Sequence, residues 1–223
     1  MPTALYDGVA GFYEEQFAPG EDRLEVVQRL VGPGPGAALD LGCGTGFYLP
    51  LLHALGWTPT GVDLSADQLE FAQQRAGDIA VLIHADATDL PFPDESFDLV
   101  FSAFTHTDID AFAAAVSEAS RVLRPGARFV YLGLHPCFVG PHTRFANGLG
   151  VPALQTGYAK SRRYTDAPGL NPDGLRIKVG AVHLPLGGLL GAFLEAGLRI
   201  DAFEEPISAG REYPHWLALR ATR

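Results

Sequence analysis

The chain has 223 residues, of which 47% are hydrophobic and 19% are charged, and its formal net charge is −10. This composition excludes a largely disordered chain and indicates a folded protein with a sizeable core. Because phosphate binding needs a basic footprint, the acidic balance disfavours a nucleic-acid partner or an anionic membrane surface, and it leaves a small neutral or cationic molecule as the expected partner.

The beginning of the chain predicts a helical N-terminal arm over residues 1–31. Residues 5–17 are rich in aromatic side chains, which is typical of a short helix or arm. Between Asp22 and Val31, apolar side chains recur at helical spacing and predict a second helix. The sequence GPGPG at 32–36 should end this helix, because Gly and Pro break helical structure.

The rest of the chain alternates between short apolar runs and amphipathic segments. The predicted strands cover residues 37–41, 58–63, 79–84, 97–104, 127–134, 198–204 and 215–221. The predicted helices between them cover residues 47–55, 68–75, 108–123 and 186–196. Such alternation predicts a parallel sheet with helices on both of its faces.

Two connections complete the predicted fold. Residues 205–214 join the last two strands, and so short a link makes a hairpin, which predicts that the last strand runs antiparallel. Residues 135–182 are rich in Pro, Gly, His and Tyr and are typical of a functional lid. We therefore expect a single Rossmann-like α/β domain over residues 1–223, with a seven-stranded, mostly parallel sheet and a lid inserted after the fifth strand.

A glycine-rich turn follows the first predicted strand and precedes a helix. Its glycines are Gly42, Gly44 and Gly46, and Asp40 lies just before them. Glycine permits a tight turn and a close approach of a ligand to the backbone amides at the start of the helix. The spacing GxGxG differs from the dinucleotide fingerprint GxGxxG, and no Lys-Ser/Thr pair follows, so a nicotinamide site and a P-loop are both less well supported.

Carboxylates follow the next two predicted strands. Asp63 ends the second strand, where a carboxylate can accept both hydroxyl hydrogens of a ribose; a capping or surface role is the alternative. Asp86 follows the third strand and can accept a hydrogen bond from an exocyclic amine such as that of adenine. Asp89 is the nearby alternative, and a solvated turn is the other interpretation of Asp86. The pattern favours an adenosine-containing ligand at the carboxyl edge of the sheet.

In this order, the motifs resemble those of the class I S-adenosylmethionine-dependent methyltransferases. The likeness rests on LDLGCGTG at 39–46, GVDLS at 61–65, the stretch 86–102, the run RVLRPGARFVY at 121–131 and LLGAFLEAGLRIDAFEEP at 189–206. It is strongest to the broad subgroup that includes ubiquinone and menaquinone methyltransferases and many natural-product enzymes. It covers roughly residues 36–134 and 184–223, and it says little about the substrate.

The resemblance implies S-adenosylmethionine as cofactor and a role for each matching residue. Asp40 would hold the methionine amino group, the three glycines would form the loop beneath methionine and ribose, and Asp63 would bind the ribose. The remaining implied contacts are Leu64 on the adenine, Asp86 and Ala87 at its edge, Ser102 or Ala103 in the methyl-donor pocket, and Tyr6 and Tyr13 of the arm closing over the cofactor. Cys43 would be a small packing residue.

Methyl transfer from a sulfonium is an in-line displacement, so the protein must mainly align donor and acceptor and exclude water. For an oxygen or nitrogen acceptor, a base can also remove a proton, and histidine is the natural candidate at neutral pH. His135 and His106 follow the fifth and fourth strands and are the candidate catalytic residues, with a structural role as the alternative for each; His142 and His183 are weaker candidates. We expect residues 135–182 and the arm to form the acceptor pocket, with an apolar wall from Phe138, Phe145, Tyr158 and Tyr164.

The sequence thus predicts methyl transfer to an oxygen or nitrogen atom, less readily a carbon atom, of a small molecule. An enzyme that uses the cofactor for other chemistry and a non-catalytic cofactor-binding module are the alternatives. No metal is expected, because neither Cys43 nor Cys137 belongs to a zinc-ligand spacing. A cytoplasmic location is expected, since no apolar run approaches the roughly 20 residues of a membrane span. The oligomeric state is left open, a homodimer included.

Overall fold

A computed structural model describes residues 3–145, 152–166 and 174–223. Its centre is a seven-stranded sheet in the order β10-β11-β5-β4-β1-β2-β3. The strands of this sheet are β1 (Gly36–Leu41), β2 (Trp57–Asp63), β3 (Val81–His84), β4 (Phe97–Ala103), β5 (Leu123–Leu134), β10 (Arg199–Glu204) and β11 (Trp216–Thr222). All seven match predicted strands, which confirms the Rossmann-like α/β class.

Strand directions also follow the prediction. Strands β1 to β5 pair in parallel, whereas β11 pairs antiparallel with both β5 and β10. The antiparallel last strand therefore lies one place in from the edge, between β5 and the edge strand β10. All the parallel strands point their carboxyl ends at one edge of the sheet, where open α/β sheets bind ligands.

Seven helices are assigned within the described ranges. They are α1 (Ala10–Gln16), α2 (Glu21–Val31), α3 (Leu49–Ala54), α4 (Ala66–Ala76), α5 (Phe112–Val122), α6 (Leu175–Val179) and α7 (Leu186–Glu195). Apolar side chains of α2 and α3 pack on one face of the sheet, and those of α5 and α7 pack on the other. Helices therefore cover both faces, as the alternating pattern predicts.

Strand β5 illustrates how the sequence divides its side chains between two cores. Phe129 and Tyr131 belong to the core beneath α5 and α7, whereas Val130 and Leu132 belong to the core beneath α2 and α3. All four side chains are fully or nearly fully buried. A strand that is buried on both faces has a continuous run of apolar residues. This pattern predicts β5 from the sequence.

The helix after β4 begins later than predicted. It starts at Phe112 instead of residue 108, after a 3-10 turn over Thr105–Thr107. The cause is competition by side chains: the Thr107 hydroxyl donates to the Phe104 carbonyl, and the Asp108 carboxylate accepts from distant partners, Tyr6 and Arg176. The helix also ends at Val122, one residue early, because β5 already begins at Leu123.

The segment predicted as an irregular lid, 135–182, contains more regular structure than expected. Short strands β6 (Thr143–Phe145) and β7 (Pro152–Leu154) pair antiparallel, as do β8 (Arg162–Tyr164) and β9 (Ala181–His183). Residues 146–151 and 167–173 of this segment lie outside the described residues, as does the Phe145 side chain. Over the described ranges, no helix is long and apolar enough to cross a bilayer.

Candidate functional site

A pocket lies at the carboxyl ends of β1 and β4, directly over the glycine-rich turn. It combines the N-terminal arm, the first turn of α2, the glycine turn and the residues that end β4. Its lining comprises Tyr13, Phe17, Pro19, Arg23, Asp40, Gly42, Cys43, Gly44, Phe47, Tyr48, Ala103 and Phe104. The arm and the glycine turn are thus brought together at one site, as expected.

The glycine turn has a backbone that only glycine adopts without strain. Gly42, Gly44 and Gly46 have φ angles of +70°, +55° and +78°. A Cβ atom at Gly42 would lie 2.5 Å from Cγ2 of Thr105, and one at Gly44 would lie 2.9 Å from Oε1 of Gln68. The missing side chains therefore let the turn pack tightly against neighbouring elements and leave its backbone bare toward the pocket.

Asp40 is a buried carboxyl group at the base of this pocket. Its side chain is 1% exposed, and Oδ2 has no hydrogen-bond partner within the described part of the chain. Burial, reinforced by the charge of Asp63, raises the pKa of Asp40 to about 8. A buried carboxyl oxygen without a partner is costly. Its surroundings therefore suit a ligand that brings a cation or a hydrogen-bond donor, such as an ammonium group.

Asp63 ties the glycine turn to the second strand. Its Oδ2 accepts a hydrogen bond from the Gly44 amide at 2.8 Å, and its Oδ1 accepts one from the Ser65 amide at 2.9 Å. The Ser65 hydroxyl in turn accepts from the Gln68 amide and caps α4. Each carboxylate oxygen has a second acceptor position, so Asp63 can hold the turn and still accept from two vicinal hydroxyl groups.

The tips of β2 and β3 form a second part of the candidate site. Asp86 is half-buried and accepts from the Thr88 amide at 2.9 Å, whereas the alternative, Asp89, is exposed. Ala87 is buried and Leu64 is half-buried. The Ala85 amide donates to the Asp63 carbonyl at 3.1 Å, which keeps the two strand tips adjacent. This arrangement is compatible with a planar base held between Leu64 and Asp86.

The N-terminal arm is fastened across the glycine turn. The Ser65 hydroxyl donates to Asp7 at 2.7 Å, and the Gly8 amide donates to Asp67 at 2.6 Å. The Tyr13 ring stacks on Phe17 and also lines the pocket; burial raises the pKa of Tyr13 to about 12, so its hydroxyl stays protonated. Tyr13 therefore lies in the lining of the pocket, beside the glycine turn.

The Tyr6 hydroxyl joins the same arm to the segment that the sequence predicts as a lid. It donates to Asp108 at 3.0 Å, and Arg176 of α6, in that segment, donates to the same carboxylate oxygen. A second nitrogen of Arg176 donates to Thr107 at 2.9 Å. The arm, the turn after β4 and α6 therefore meet at Asp108.

The end of β4 differs in detail from the expectation. Ser102 is fully buried, and its hydroxyl donates to the Leu41 carbonyl at 2.8 Å and shares a hydrogen bond with Thr105. It does not line the pocket, whereas Ala103 and Phe104 do. Phe104 has a φ of +63°, a strained conformation for a residue with a side chain. Such strain often marks functional sites, because surrounding structure must hold it in place.

Arg23, which sequence reasoning missed, also lines the pocket. Its guanidinium donates to the Ala18 carbonyl at 3.0 Å and lies 5.7 Å from the centre of the Phe104 ring. Its guanidinium forms none of the ion pairs found in the described part of the chain, although its charge acts on the neighbouring Asp22, so the group brings positive charge to the pocket. In the sequence, nothing distinguishes Arg23 from a solvent-exposed charge on an amphipathic helix.

The two candidate catalytic histidines lie outside the lining of this pocket. His106 is buried, its Nδ1 is bonded to the Tyr131 hydroxyl, and burial lowers its pKa to about 3. His135 is also buried; its Nε2 contacts Oε1 of Glu205 at 2.6 Å, and its Nδ1 accepts from the Cys137 amide at 3.2 Å. Both nitrogens of His135 are therefore occupied by protein partners.

The predicted lid aromatics divide between two places. Phe138 packs against His135 and Tyr213, with ring centres 4.7 and 6.0 Å apart. Tyr158 packs against His142 and His183, away from the pocket, and Tyr164 is buried in β8. Within the described ranges, no group of three or more His, Cys, Asp or Glu side chains could hold a metal ion.

Comparisons with known proteins also indicate a methyltransferase. A family model described as a methyltransferase domain matches residues 39–131. The chain is 33% identical to the ubiquinone/menaquinone biosynthesis C-methyltransferase of Desulfotalea psychrophila over 162 residues, which are 67% of this chain and 66% of that protein. It is 38% identical to the malonyl-[acyl-carrier protein] O-methyltransferase of Methylococcus capsulatus over 130 residues, 56% of this chain and 46% of that protein.

One solved structure is similar along almost its whole length. It is an S-adenosylmethionine-dependent methyltransferase from Mesorhizobium loti, with a TM-score of 0.74 and 26% identity, covering 97% of this chain and 99% of that chain. By contrast, the matched region spans about half the length of the Methylococcus relative and about two thirds of the length of the Desulfotalea relative.

Proposed function

The chain belongs to the class I S-adenosylmethionine-dependent methyltransferase family, and from this premise we propose that it transfers the methyl group of S-adenosylmethionine to a small molecule. One observation carries the proposal: Asp40 and Arg23 line the same pocket, and within the described residues Oδ2 of the buried Asp40 has no hydrogen-bond partner and the Arg23 guanidinium has no ion pair. The methionine end of the cofactor carries the complementary pair, an ammonium and a carboxylate. A dinucleotide offers no such pair.

The remaining contacts with the cofactor follow from the placement of each side chain. Asp40 would hold the ammonium group, and Arg23 would hold the carboxylate. The bare backbone of Gly42, Gly44 and Gly46 would lie against the methionine and ribose. Asp63 would contact the ribose hydroxyls, and Tyr13 would cover the cofactor. The adenine would be contacted by Leu64, Asp86 and Ala87. At the end of β4, we propose that Ala103, in place of Ser102, lines the methyl-donor pocket.

The bound cofactor would supply a methyl group already activated by the positive sulfonium. The chain's own contribution is to orient this group and to exclude water. Tyr13, Phe17 and Phe104 surround the pocket with aromatic rings, which suits both tasks. Phe104, held in a strained backbone conformation beside Ala103, is the residue that we expect nearest to the transferred methyl group.

We expect the acceptor farther along the same edge of the sheet, toward β5. His135 lies three residues beyond Leu132, the β5 partner of Ala103, and its amide donates to the His215 carbonyl at 3.0 Å. Burial lowers the pKa of His215 to about 4, and the charges of Asp22 and Arg23 also act on it. The backbone of His215 therefore contacts that of His135, and its ring is close enough to Arg23, which lines the pocket, for the charge of Arg23 to act on it.

At this edge we propose that Glu205, and not His135 itself, contacts the acceptor. His135 is 1% exposed and Glu205 is 47% exposed, and only Oε1 of Glu205 is bonded to the histidine. His135 would act as a positioning residue that orients Oε2 of Glu205 toward the acceptor. The earlier prediction of His106 as a base gains no support from its buried position against Tyr131.

A carboxylate in this position suits an acceptor that carries an acidic O–H or N–H group. Transfer to an oxygen or nitrogen atom needs that proton removed, and transfer to a ring carbon is helped when a neighbouring hydroxyl loses its proton. The two relatives are named for transfer to carbon and to oxygen. We therefore propose a small hydroxylated acceptor, first of all an aromatic one of the quinone-precursor kind. A ring carbon, which the sequence ranked below oxygen and nitrogen, is placed level with them as the methylated atom.

The experiment is a turnover assay with a panel of acceptors. Purified protein is incubated with S-adenosylmethionine and, separately, with hydroxylated naphthalenes, phenols, amines and carboxylic acids, and S-adenosylhomocysteine release is measured against a no-acceptor control. Acceptor-dependent release supports methyl transfer, and mass spectrometry of the product identifies the atom. Binding of the cofactor without demethylated product across the panel, or a product formed without loss of the methyl group, would contradict it.

A further inference from the structure

Two buried histidines from separate segments face each other outside the pocket. His142 lies directly before β6, and His183 ends β9. Their ring centres are 4.9 Å apart with an angle of 51° between the planes, and they are 1% and 3% exposed. Neither residue lines the cofactor pocket. The methyl-transfer function proposed above therefore makes no use of this pair.

The hydrogen bonds of the two rings fix where their lone pairs point. Nε2 of His142 lies 3.1 Å from the Cys137 carbonyl oxygen, and Nε2 of His183 lies 2.7 Å from the Tyr158 carbonyl oxygen. Because a carbonyl oxygen can only accept, each Nε2 must carry the hydrogen, and each neutral ring then has a lone pair on Nδ1. Histidines that bind metals are held in this way, with the other ring N–H donated to a carbonyl.

Both lone pairs border the same small space, next to Gly140. A Cβ atom added to Gly140 would lie 3.0 Å from Nδ1 of His142 and 3.0 Å from Nδ1 of His183. The absence of a side chain at Gly140 keeps this space free. Nδ1 of His142 is also buried without a hydrogen-bond partner in the described residues. Two acceptors thus meet with no donor between them, an arrangement that a Lewis acid would stabilise.

From this geometry we propose that the His142–His183 pair binds a divalent transition-metal ion of the class that prefers imidazole nitrogen, with Zn²⁺ as the reference ion. Two protein nitrogens are available in the described residues, so water would complete the coordination. Zinc binds histidine nitrogen at about 2.0–2.1 Å, so the bound ion would draw the two rings together. The ion would then link the segment after β5 to the β8–β9 hairpin.

Arg162 is a cation near the pair, and it forms an ion pair with Asp166 at 3.7 Å. The charge of Asp166 thus offsets that of Arg162 beside the proposed site.

Isothermal titration of chelator-treated, tag-free protein with ZnCl₂ tests the proposal. The wild-type chain should bind one ion per chain at this site and should melt at a higher temperature with the ion. His142→Gln and His183→Gln keep an N–H group for the carbonyl bonds but remove the Nδ1 ligand, so each should weaken binding at least tenfold. Gly140→Ala should do the same by filling the space while leaving both histidines in place.

Exposed His53 offers the matched control, because His53→Ala removes one imidazole without touching the pair. Binding by the His53 variant should equal that of the wild type. Retained S-adenosylhomocysteine binding shows that each variant is folded, so a lost metal site is separable from a failed fold. Absence of Zn²⁺ binding by the wild type, or undiminished binding by a His142→Gln/His183→Gln double variant, would overturn the proposal and leave the pair to hold a water molecule or a proton.

Discussion

The Gly44 amide donates a hydrogen bond to Oδ2 of Asp63 at 2.8 Å. This bond joins the glycine turn to the end of the neighbouring strand β2, and it occupies one acceptor position of a carboxylate that we assign to the ribose. The same side chain therefore shapes the turn and, in the proposed function, would also contact the ligand. Loss of Asp63 should affect both the turn and the ligand contact.

Asp63→Ala should weaken binding of S-adenosylhomocysteine by roughly 10- to 100-fold, since a hydrogen bond to a charged group contributes about 1.5–3 kcal/mol. Asp63→Asn keeps an acceptor oxygen for one amide and should lose less. Titration calorimetry gives both affinities. Equal affinities for wild type and Asp63→Ala would remove the ribose assignment.

Gly44→Ala should weaken cofactor binding and destabilise the fold. A Cβ there meets Oε1 of Gln68 at 2.9 Å, and the φ of +55° is strained for alanine. Gly126→Ala is the matched control, since Gly126 also has a positive φ, +80°, but open space around its Cβ position. Both variants should lose stability, and Gly44→Ala alone should lose affinity. An equal loss of affinity in both would contradict a close backbone–ligand contact at Gly44.

Asp40 makes cofactor binding depend on pH. Its pKa of about 8 in the free pocket means that it is mostly protonated at pH 6, whereas contact with an ammonium group favours its ionised form. Binding should therefore release a proton, and affinity for S-adenosylhomocysteine should rise between pH 6 and 8 by up to about tenfold per pH unit. Asp40→Asn should remove this dependence. A wild-type affinity that is flat over this range would contradict the assignment.

The same group should lower the stability of the free protein at neutral pH. The folded chain holds the Asp40 proton more tightly than the unfolded chain, whose pKa is about 3.9. The stabilisation is complete below that value and is lost as pH rises toward about 8. Asp40→Asn should thus raise the melting temperature at pH 8 relative to wild type and have less effect at pH 4, as calorimetry would measure. A lower melting temperature at pH 8 would be the contrary result.

Substitution of either Glu205 or His135 should lower the rate of methyl transfer, because the two side chains are bonded to each other. With an acceptor from the panel, Glu205→Gln should lower kcat/KM by roughly 100-fold or more, as expected for loss of a general base, and leave cofactor affinity unchanged. His135→Ala should show a smaller loss, and His135→Gln, which retains a donor for the carboxylate, should recover part of it. Glu204→Gln is the control, because Glu204 is paired with Arg29 instead. Full activity in Glu205→Gln would sink this assignment.

Much of the fold was predictable because its signals are local. Apolar runs marked all seven strands of the main sheet, and the glycine turn with Asp40 and Asp63 marked the carboxyl edge. The helix after β4 was placed too early, since the bonds from Tyr6 and Arg176 to Asp108 join residues far apart in sequence. Local patterns do not report such contacts.

The missed site residues have the same explanation. Arg23 looks like any helix-surface charge until α2 packs beside the glycine turn. Glu205 gains its orientation only from His135, which is 70 residues away in the chain. The strands β6 to β9, in the segment predicted as a lid, are three residues long each, which is too short for an alternating pattern to identify them. Pairing across the fold, and not local propensity, creates these features.

The most direct test of the central claim is calorimetric titration of S-adenosylhomocysteine into the wild type, Asp40→Asn and Arg23→Met at pH 8. The account predicts one site per chain in the wild type and an affinity at least tenfold weaker in each variant, because each loses a partner of the methionine zwitterion. Arg29→Met, on the same helix but outside the pocket, should bind as the wild type does. No binding by the wild type, or unchanged binding by both pocket variants, would contradict it.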